Sequence, residues 1–220
     1  MSAARFLDNL DPQAREAFAA LGTQRRFDAG STMFVEGDRS GHVIVILTGR
    51  VKVYATSLDG QDFLLAVRGP GEVLGDFSAI DDAPRSASGV ALEAVEARMI
   101  PARTFRDFLS DTPGAGLALL TTLVDRMRDS DRQRVDLGAR DTLGRVSMRL
   151  FELVESCGVQ EDGAMRIDMP LTQDDLAGWV AASREAVARA LASLRKRGII
   201  TTARREIRVL DIDSLREAAR

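Results

Sequence analysis

The sequence predicts an α+β protein built in three parts, and three patterns along its 220 residues lead to this prediction. From residue 27 to about residue 99, apolar residues recur with a period of two between glycine-containing turns, which is typical of an antiparallel sandwich or barrel. From about residue 116 to 137, apolar residues step by three and four, which predicts one long helix. Beyond residue 138, the pattern predicts helices followed by a hairpin.

The composition excludes several classes of protein. Lys and Arg number 30 and Asp and Glu number 33, which gives a net charge of −3. This value indicates no particular class of partner, so a nucleic-acid site would require a local basic patch. One cysteine, Cys157, and one histidine, His42, leave no internal disulfide, no metal-binding pair and no adjacent Cys-His pair for catalysis. We expect Cys157 to be semi-buried and His42 to lie at the surface where a strand starts. The longest apolar stretches fall short of the roughly 20 residues of a membrane span, and no signal-peptide core is present, so we expect a cytosolic protein.

A short helix opens the first part, because Asp11 is a good N-cap and Pro12 suits the first helical position, with Gly22 closing the segment. The strands that follow are expected at 33–35, 43–47, 51–54, 63–67, 90–92 and 97–100. After Pro101, a short helix carries Phe105 and Phe108.

The long helix carries apolar residues with the a/d spacing of a coiled-coil seam. These residues are Leu117, Leu120, Val124 and Met127. A helix with such an exposed seam needs a partner, and a second copy of the chain is the simplest one, so we expect a homodimer. Continuing the heptad places Asp131 and Arg134 on the same seam, where burial of their charges costs free energy unless they bind something.

The last part has the pattern of a winged helix-turn-helix. A helix at 145–155, a polar loop at 158–163 and a strand at 164–169 precede two helices. Thr172 caps the first of these, and Asp175 completes a capping box. Ser183 caps the second helix and Gly198 ends it. Strands at 199–201 and 206–210 then form the wing.

The second helix of this pair is suited to DNA. Val187, Leu191 and Leu194 form its buried stripe, which leaves Arg184, Glu185, Ala188 and Arg189 on the opposite face. Arginine binds the O6 and N7 atoms of guanine bidentately, and glutamate accepts from the cytosine amino group. Residues 171–205 contain seven basic residues, Arg204 and Arg205 among them, and three acidic residues, so this segment carries about +4 and suits phosphate contacts. The alternative is a solvated charged helix face.

A second candidate site begins at Gly75. A glycine that opens one turn of helix offers free backbone N–H groups to an anion, and Arg85 can reach the same phosphate. Asp76 fits this site if its carboxylate accepts a sugar hydroxyl. The alternative is a glycine turn in which Asp76 and Arg85 form a surface ion pair.

Both segments resemble those of the Crp/Fnr superfamily of bacterial transcription regulators. Residues 75–86 resemble the family's phosphate-binding cassette, G-E-x7-P-R-S/T/A-A, and residues 171–189 resemble its helix-turn-helix signature. The resemblance covers nearly the whole chain. It implies a cyclic-nucleotide-binding, jelly-roll-like β-roll over residues 1–112, a dimerisation helix over 113–138 and a winged helix-turn-helix DNA-binding domain over 139–220.

The resemblance also assigns site residues. It implies that the ligand is bound by Gly75, Asp76, Phe77, Ser78, Arg85, Ser86, Ser130 and Asp131, with the last two near the base. It implies that DNA is bound by Thr172, Gln173, Ser183, Arg184, Glu185 and Arg189, reading a TGTGA-type half-site in a pseudo-palindrome. The cassette departs from the family pattern at Asp76, where glutamate is usual.

These observations favour a homodimeric, sequence-specific transcription regulator under allosteric control by a cyclic nucleotide, with cAMP as the first candidate and no covalently bound cofactor. A regulator that senses cGMP, another small ligand or none is the alternative within the same fold. A cyclic-nucleotide regulatory subunit acting on a partner protein is a third reading, against which the intact recognition helix argues. RNA polymerase is a further candidate partner, and we expect neither an enzyme nor a membrane protein.

Overall fold

The computed structural model describes residues 5–203 and 206–219, and these divide into two compact units, 5–129 and 130–219. Among the described residues, every helix is too short or too polar to cross a lipid bilayer.

The first unit consists of two four-stranded antiparallel sheets with helices before, between and after the strands. A 3₁₀ turn at Phe6–Asn9 precedes helix α1 (Pro12–Ala19). The strands are β1 (Thr23–Phe27), β2 (Thr32–Phe34), β3 (His42–Thr48), β4 (Val51–Thr56), β5 (Asp62–Arg68), β6 (Val73–Leu74), β7 (Ser88–Ala91) and β8 (Val95–Pro101). Helix α2 (Asp76–Asp81) lies between β6 and β7, and α3 (Ala102–Asp111) follows β8. Helix α4 (Ala115–Ala139) then continues into the second unit.

Strand β3 is apolar on both faces because it lies between two cores. In one sheet the strand order is β1-β8-β3-β6, and in the other it is β2-β7-β4-β5. Ile44 and Ile46 of β3 pack toward the second sheet, in a cluster that includes Val51 of β4. Val43 and Val45 point the other way, into a cluster formed with the helices. This explains why residues 43–47 form a continuous apolar run rather than an alternating one.

Four phenylalanines hold the helices against the first sheet. The ring centroids of Phe6 and Phe18 are 5.2 Å apart, and those of Phe18 and Phe108 are 4.9 Å apart, with Phe105 in contact with the first two. The predicted cap of α1 is confirmed, since Asp11 accepts a hydrogen bond of 2.8 Å from the Ala14 N–H.

The second unit has the winged helix-turn-helix architecture that the sequence predicts. Its further elements are α5 (Thr142–Cys157), β9 (Gly158–Glu161), β10 (Ala164–Ile167), α6 (Gln173–Trp179), α7 (Arg184–Lys196), β11 (Ile200–Ala203), β12 (Glu206–Val209) and α8 (Ile212–Ala218). The four strands form one antiparallel sheet in the order β11-β12-β10-β9. Leu150, Leu176, Leu191, Leu194 and Leu215 are fully buried side chains of this unit.

Several elements, among them β1, β9 and α8, differ from the sequence-based expectation. Strand β1 begins at Thr23, although Thr23 to Arg26 are exposed, because this edge strand is held by pairing with β8 rather than by an apolar face. Residues 158–161, expected in a loop, form β9 by pairing with β10. Helix α8 is additional; it has Asp211 as its N-cap and Leu215 as its buried anchor.

Candidate functional site

Gly75 and Arg85 are brought into direct contact in the first unit. Gly75 has a φ of +77° and caps the N-terminus of α2. A Cβ atom at this position would lie 1.3 Å from Arg85 Nη1, so only glycine allows the guanidinium to lie there. The positive φ also favours glycine, which lacks the Cβ that makes this backbone conformation costly. The predicted Gly75–Arg85 site is therefore assembled by the fold.

The Arg85 guanidinium is buried but only partly hydrogen-bonded. The residue is 3% exposed, and its Nη2 donates to Ser40 Oγ and to the His42 carbonyl oxygen, both at 2.7 Å. Its Nε and Nη1 atoms have no hydrogen-bond partner among the described residues. The Phe34 ring covers it, with the centroid 5.2 Å from Cζ. A buried cation with unsatisfied N–H groups is costly by itself and fits a phosphate, whose oxygens accept from a planar fork.

Electrostatics at Arg85 depend on burial and on two carboxylates. Burial lowers the pKa of Arg85 from its usual value, while Asp76 and then Asp38 raise it. Because arginine titrates far above neutral pH, the side chain keeps its charge. The site therefore retains a positive charge suited to an anion.

Asp76 is paired with a residue that the sequence analysis did not single out. The Arg126 Nη1 atom of α4 donates to Asp76 Oδ2 at 2.7 Å, and Arg126 Nη2 donates to the Val73 carbonyl at 2.9 Å. The Asp76 and Arg126 side chains are 6% and 12% exposed. The alternative of a surface ion pair between Asp76 and Arg85 is wrong, because Asp76 is buried and its ion-pair partner is Arg126.

The remaining predicted cassette residues differ in exposure. Ser78 is buried within α2, whereas Phe77 is half exposed. Ser86, which follows Arg85, is exposed. His42 begins β3 as expected, but it is half-buried rather than a surface residue. Cys157 is partly buried, as predicted.

Helix α4 exposes the predicted apolar seam. Leu117 and Met127 are 68% and 67% exposed, and Leu120 and Val124 are also exposed. The opposite side of the helix is buried, through Ala115, Ala118, Leu119 and Thr122. Unlike these buried residues, the seam is left uncovered by the described part of the chain.

Ser130 and Asp131 lie further along α4, in the second unit. Both residues are exposed. The Asp131 carboxylate lies 3.4 Å from Arg134 Nη1, so the two charged residues expected on the seam form an ion pair within one helix. This pairing offsets part of the charge that Asp131 would otherwise bring to the seam.

The two helices of the predicted DNA-binding motif begin at the expected caps. Thr172 Oγ1 accepts from the Asp175 N–H at 3.1 Å, and the Asp175 carboxylate accepts from the Thr172 N–H at 3.0 Å, which confirms the capping box of α6. Ser183 Oγ accepts from the Ala186 N–H at 3.2 Å and caps α7. Ala181, with a φ of +47°, forms the turn between the helices. Gln173 is the first residue of α6 and is exposed.

The first turns of α7 present charged side chains. Arg184, Glu185 and Arg189 are exposed, while Val187, Leu191 and Leu194 on the other face are buried as predicted. Hydrogen bonds from its own backbone N–H and from the Ser183 hydroxyl lower the pKa of Glu185, with Arg189 and Arg184 acting in the same direction. Glu185 is therefore a hydrogen-bond acceptor at neutral pH.

One contact on this surface was missed by sequence reasoning. Asp174 Oδ2 of α6 lies 3.5 Å from Arg184 Nη1, and both side chains are well exposed. Arg204 and Arg205, which contribute to the predicted basic segment, lie outside the described residues.

Comparison with known proteins identifies both units. Residues 24–112 match the model of the cyclic nucleotide-binding domain, and residues 144–218 match that of the Crp-like helix-turn-helix domain. The chain belongs to the Crp/Fnr family of transcription regulators. It is thus a CRP-like regulator with a cyclic nucleotide-binding domain and a DNA-binding helix-turn-helix, and its family consists of transcription regulators rather than enzymes.

Relatives of this family cover almost the whole chain. The CRP-like cAMP-activated global transcriptional regulator of Mycobacterium tuberculosis is 34% identical over 93% of this chain and 92% of its own length. The cyclic AMP receptor protein of Thermus thermophilus is 26% identical over 100% of this chain and 98% of its own. The structure of CLP, the c-di-GMP responsive global regulator of Xanthomonas campestris, has the same fold, with a TM-score of 0.79, 22% identity and coverage of 90% of this chain and 99% of that one.

Proposed function

We propose that this protein is a homodimeric, sequence-specific transcription regulator whose affinity for DNA is controlled by a cyclic nucleotide, with cAMP as the first candidate. The observation that carries the ligand proposal is Arg85, a buried cation whose Nε and Nη1 have no partner among the described residues. In this proposal, residues 1–112 form the sensor domain, 113–138 the dimerisation helix and 139–220 the DNA-binding domain.

In the nucleotide complex, Arg85 and Ser86 bind the cyclic phosphate, together with the backbone N–H groups and side chains of Gly75, Phe77 and Ser78. Asp76 accepts a ribose hydroxyl. One of its carboxylate oxygens, Oδ2, binds Arg126, which leaves Oδ1 for the sugar. The short aspartate is held rigidly by this ion pair, which favours a defined hydroxyl contact over a mobile one.

The relatives named above support cAMP over other ligands, because the two curated relatives are a cAMP-activated regulator and a cyclic AMP receptor. Ser130 and Asp131 are the proposed contacts of the base. An aspartate carboxylate accepts only, so it binds the adenine amino group or, equally well, the N1–H and amino group of guanine. The test of cAMP therefore includes cGMP.

A second copy of the chain is the proposed partner of the α4 seam. Leu117, Leu120, Val124 and Met127 recur with coiled-coil spacing and are exposed in the single chain. Arg126 lies on the same helix and binds Asp76 of the cassette, so a change at the cassette reaches the dimer helix through a single ion pair. This link supports allosteric control, in which the ligand favours one arrangement of the two long helices.

The proposed DNA contacts follow the exposed faces of α6 and α7. Arg184, Glu185 and Arg189 contact bases in the major groove, and Thr172, Gln173 and Ser183 contact the backbone. A two-fold symmetric dimer then binds a pseudo-palindrome with TGTGA-type half-sites about one helical turn apart. A DNA ligand also agrees with a location in the cytoplasm.

The ligand proposal is tested by calorimetric titration of the purified protein with cAMP, cGMP and c-di-GMP. We expect cAMP to bind and Arg85→Ala to weaken binding at least about 100-fold, because a charge-assisted bidentate contact is lost. Arg103→Ala is the control, since Arg103 is an exposed arginine of the same unit that lies 3.9 Å from the exposed Asp107. If none of the three nucleotides binds, the alternative is left, which is a regulator of this fold with a different signal or none.

The DNA proposal is tested by fluorescence anisotropy with a labelled duplex that carries a TGTGA pseudo-palindrome, with and without cAMP. We expect Arg184→Ala to cost about 1–3 kcal/mol of specific binding and to relax the preference at one base position. Duplexes with substitutions in the half-sites provide the comparison. Equal affinity for the palindrome and for a scrambled duplex would contradict sequence-specific recognition of this site.

A further inference from the structure

Two residues that anchor Arg85, Ser40 and His42, lie outside both segments that resemble family motifs, 75–86 and 171–189. Its Nη2 atom donates to the Ser40 hydroxyl and to the His42 carbonyl, both at 2.7 Å. The Ser40 Oγ atom lies 3.1 Å from the His42 ring Nδ1. A continuous chain of hydrogen bonds therefore joins the buried guanidinium to the imidazole through one hydroxyl.

The protonation of His42 determines how this chain is arranged. Arginine only donates, so Ser40 Oγ accepts from Arg85. When the imidazole is neutral with its proton on Nε2, the Ser40 hydroxyl donates to Nδ1 and the chain is complete. When the imidazole is protonated, Nδ1 becomes a donor, and Ser40 accepts from both sides. The second state places two positive charges around one serine hydroxyl, which is unfavourable unless an anion is close.

The surroundings of His42 favour its neutral form in the free protein. Burial, then the positive charges of Arg85 and Arg25, lower the pKa of His42 below its usual value. Arg25 lies on β1, and the residue paired with His42 on β8 is the uncharged Pro101. Asp38, whose carboxylate acts on Arg85, lies on the segment between β2 and β3, which also carries Glu36 and Arg39.

We propose that Ser40 and His42 are positioning residues that hold Arg85 for the nucleotide phosphate and make nucleotide affinity increase as the pH falls. This inference rests on the proposed nucleotide site. A phosphate bound to Arg85 offsets the positive charge that disfavours the imidazolium, so binding raises the pKa of His42. By linkage, a ligand that raises the pKa of a group binds more tightly to its protonated form.

The sign of the effect follows from these two states. Above both pKa values of His42, free and bound, binding involves no proton and the affinity is constant. As the pH falls through the bound-state value, binding takes up a proton, and the affinity rises until the free-state value is passed. A pKa difference of about one unit gives a tenfold change in affinity. We expect a rise of about three- to tenfold between about pH 8 and about pH 5.5, over which the cyclic phosphodiester keeps its single charge.

Calorimetry across this pH range tests the inference. Wild-type protein is titrated with cAMP in buffers of different ionisation enthalpy, which also measures the proton uptake. We expect His42→Gln to remove the pH dependence, so that its affinity for cAMP is the same across this pH range. Ser40→Ala is expected to weaken binding about tenfold at all pH values, because Arg85 loses one of its anchors. Ser40→Thr keeps the hydroxyl and is expected to restore binding, and Ser57→Ala, in a turn of the same unit, is the matched control.

The chain contains one histidine, so its imidazole gives a single resolved titration in an NMR spectrum. In the free protein we expect Arg85→Gln to raise the pKa of His42, and in wild type we expect saturating cAMP to do the same. This change keeps a polar hydrogen-bonding side chain at position 85 and removes its charge.

The outcomes separate this inference from the proposed function. Tight cAMP binding with the same pH profile in wild type and His42→Gln would overturn the inference and leave the nucleotide site intact. No binding of cAMP at any pH would overturn the proposed nucleotide control and the affinity change with it. An unchanged His42 titration in Arg85→Gln would refute the coupling itself, whatever the nucleotide does.

Discussion

The proposed anion site and the proposed recognition helix, α7, place arginines in opposite environments. Arg85 is buried and the Arg126 side chain is largely buried, and each is held by two hydrogen bonds to acceptors within the first unit. Arg184 and Arg189 project from α7 into solvent, and the contact of Arg184 with Asp174 is long and exposed. The first arrangement holds charged groups in a buried cluster, the cradle, formed by Gly75, Asp76, Arg85 and Arg126. The second leaves charged groups exposed to solvent, where a large hydrated partner can reach them.

The difference predicts how each region responds to mutation. Changes in the buried cradle affect folding as well as ligand binding, because an unpaired buried charge costs several kcal/mol. Changes on the recognition helix affect DNA binding with little loss of stability, because exposed ion pairs contribute about 0–1 kcal/mol. The chain has one tyrosine, Tyr54, in the first unit and one tryptophan, Trp179, in the second. Their fluorescence can therefore report on the unfolding of each unit.

Removal of Arg126 is expected to have the largest effect. Arg126→Ala leaves the buried Asp76 carboxylate without its cation, and we expect about 3–5 kcal/mol of lost stability in the first unit. Urea unfolding followed by circular dichroism measures this loss, while the transition reported by Trp179 fluorescence should stay in place. Arg128→Ala, which removes an exposed partner of Asp125 from the same helix, should cost under about 1 kcal/mol. Similar losses for the two variants would contradict the distinction between buried and exposed pairs.

A methyl group at Gly75 is expected to disrupt the cradle by steric overlap and backbone strain rather than by the loss of a charge. Gly75→Ala places Cβ where Arg85 Nη1 now lies and forces alanine into a positive φ, which costs about 1–3 kcal/mol. We expect cAMP binding to be lost in calorimetry. Gly60→Ala is the matched control, because its φ is +79° but nothing lies within 4 Å of the added Cβ. That variant should show backbone strain with normal binding, and loss of binding in it as well would remove the steric explanation.

These first two predictions depend on contacts that the sequence alone does not reveal. The glycine, the aspartate and Arg85 are close in sequence, so a motif can represent them. Arg126 is far along the chain on a helix with many charged residues, and nothing in its spacing distinguishes it from Arg128. The anchors Ser40 and His42 likewise come to Arg85 only when β3 lies beside the cassette. These residues join the site through tertiary contacts, which sequence motifs and helix or strand periodicity do not predict.

The helix caps illustrate the part that sequence predicts well. Thr172 with Asp175, and Ser183 with Ala186, are separated by three residues, so their hydrogen bonds follow from local helix geometry. The same reasoning missed β1 and β9, whose polar residues have no apolar alternation and are strands because a neighbour pairs with them. Local chemistry thus predicted the DNA-binding motif more completely than the sensor site.

Ser183 is expected to have an intermediate effect, and it separates a cap from a DNA contact. Ser183→Ala removes the cap of α7 and should cost about 1 kcal/mol, measured by urea unfolding with Trp179 fluorescence. Ser183→Gly also removes the hydroxyl but should cost only a few tenths of a kcal/mol, because glycine is tolerated at N-caps. If the hydroxyl contacts the DNA backbone, both variants lose specific affinity equally. An affinity loss that follows stability instead would assign Ser183 to the cap alone.

Substitution of Asp174 is expected to give the smallest effect, and it tests how a carboxylate on the exposed surface influences DNA binding. Its carboxylate lies 3.5 Å from Arg184 on the exposed surface that is proposed to contact DNA, so we expect it to weaken attraction to phosphates. We expect Asp174→Asn to tighten binding to a scrambled duplex by about two- to fivefold at low salt, with a smaller effect at high salt, as measured by fluorescence anisotropy. Asp213→Asn makes the same charge change on α8, where Asp213 pairs with Arg216, and should have less effect. If the carboxylate also orients Arg184, specific binding is expected to gain less than non-specific binding. An equal gain in both would mean that Asp174 acts only through net charge, and that the exposed arginine needs no orienting partner.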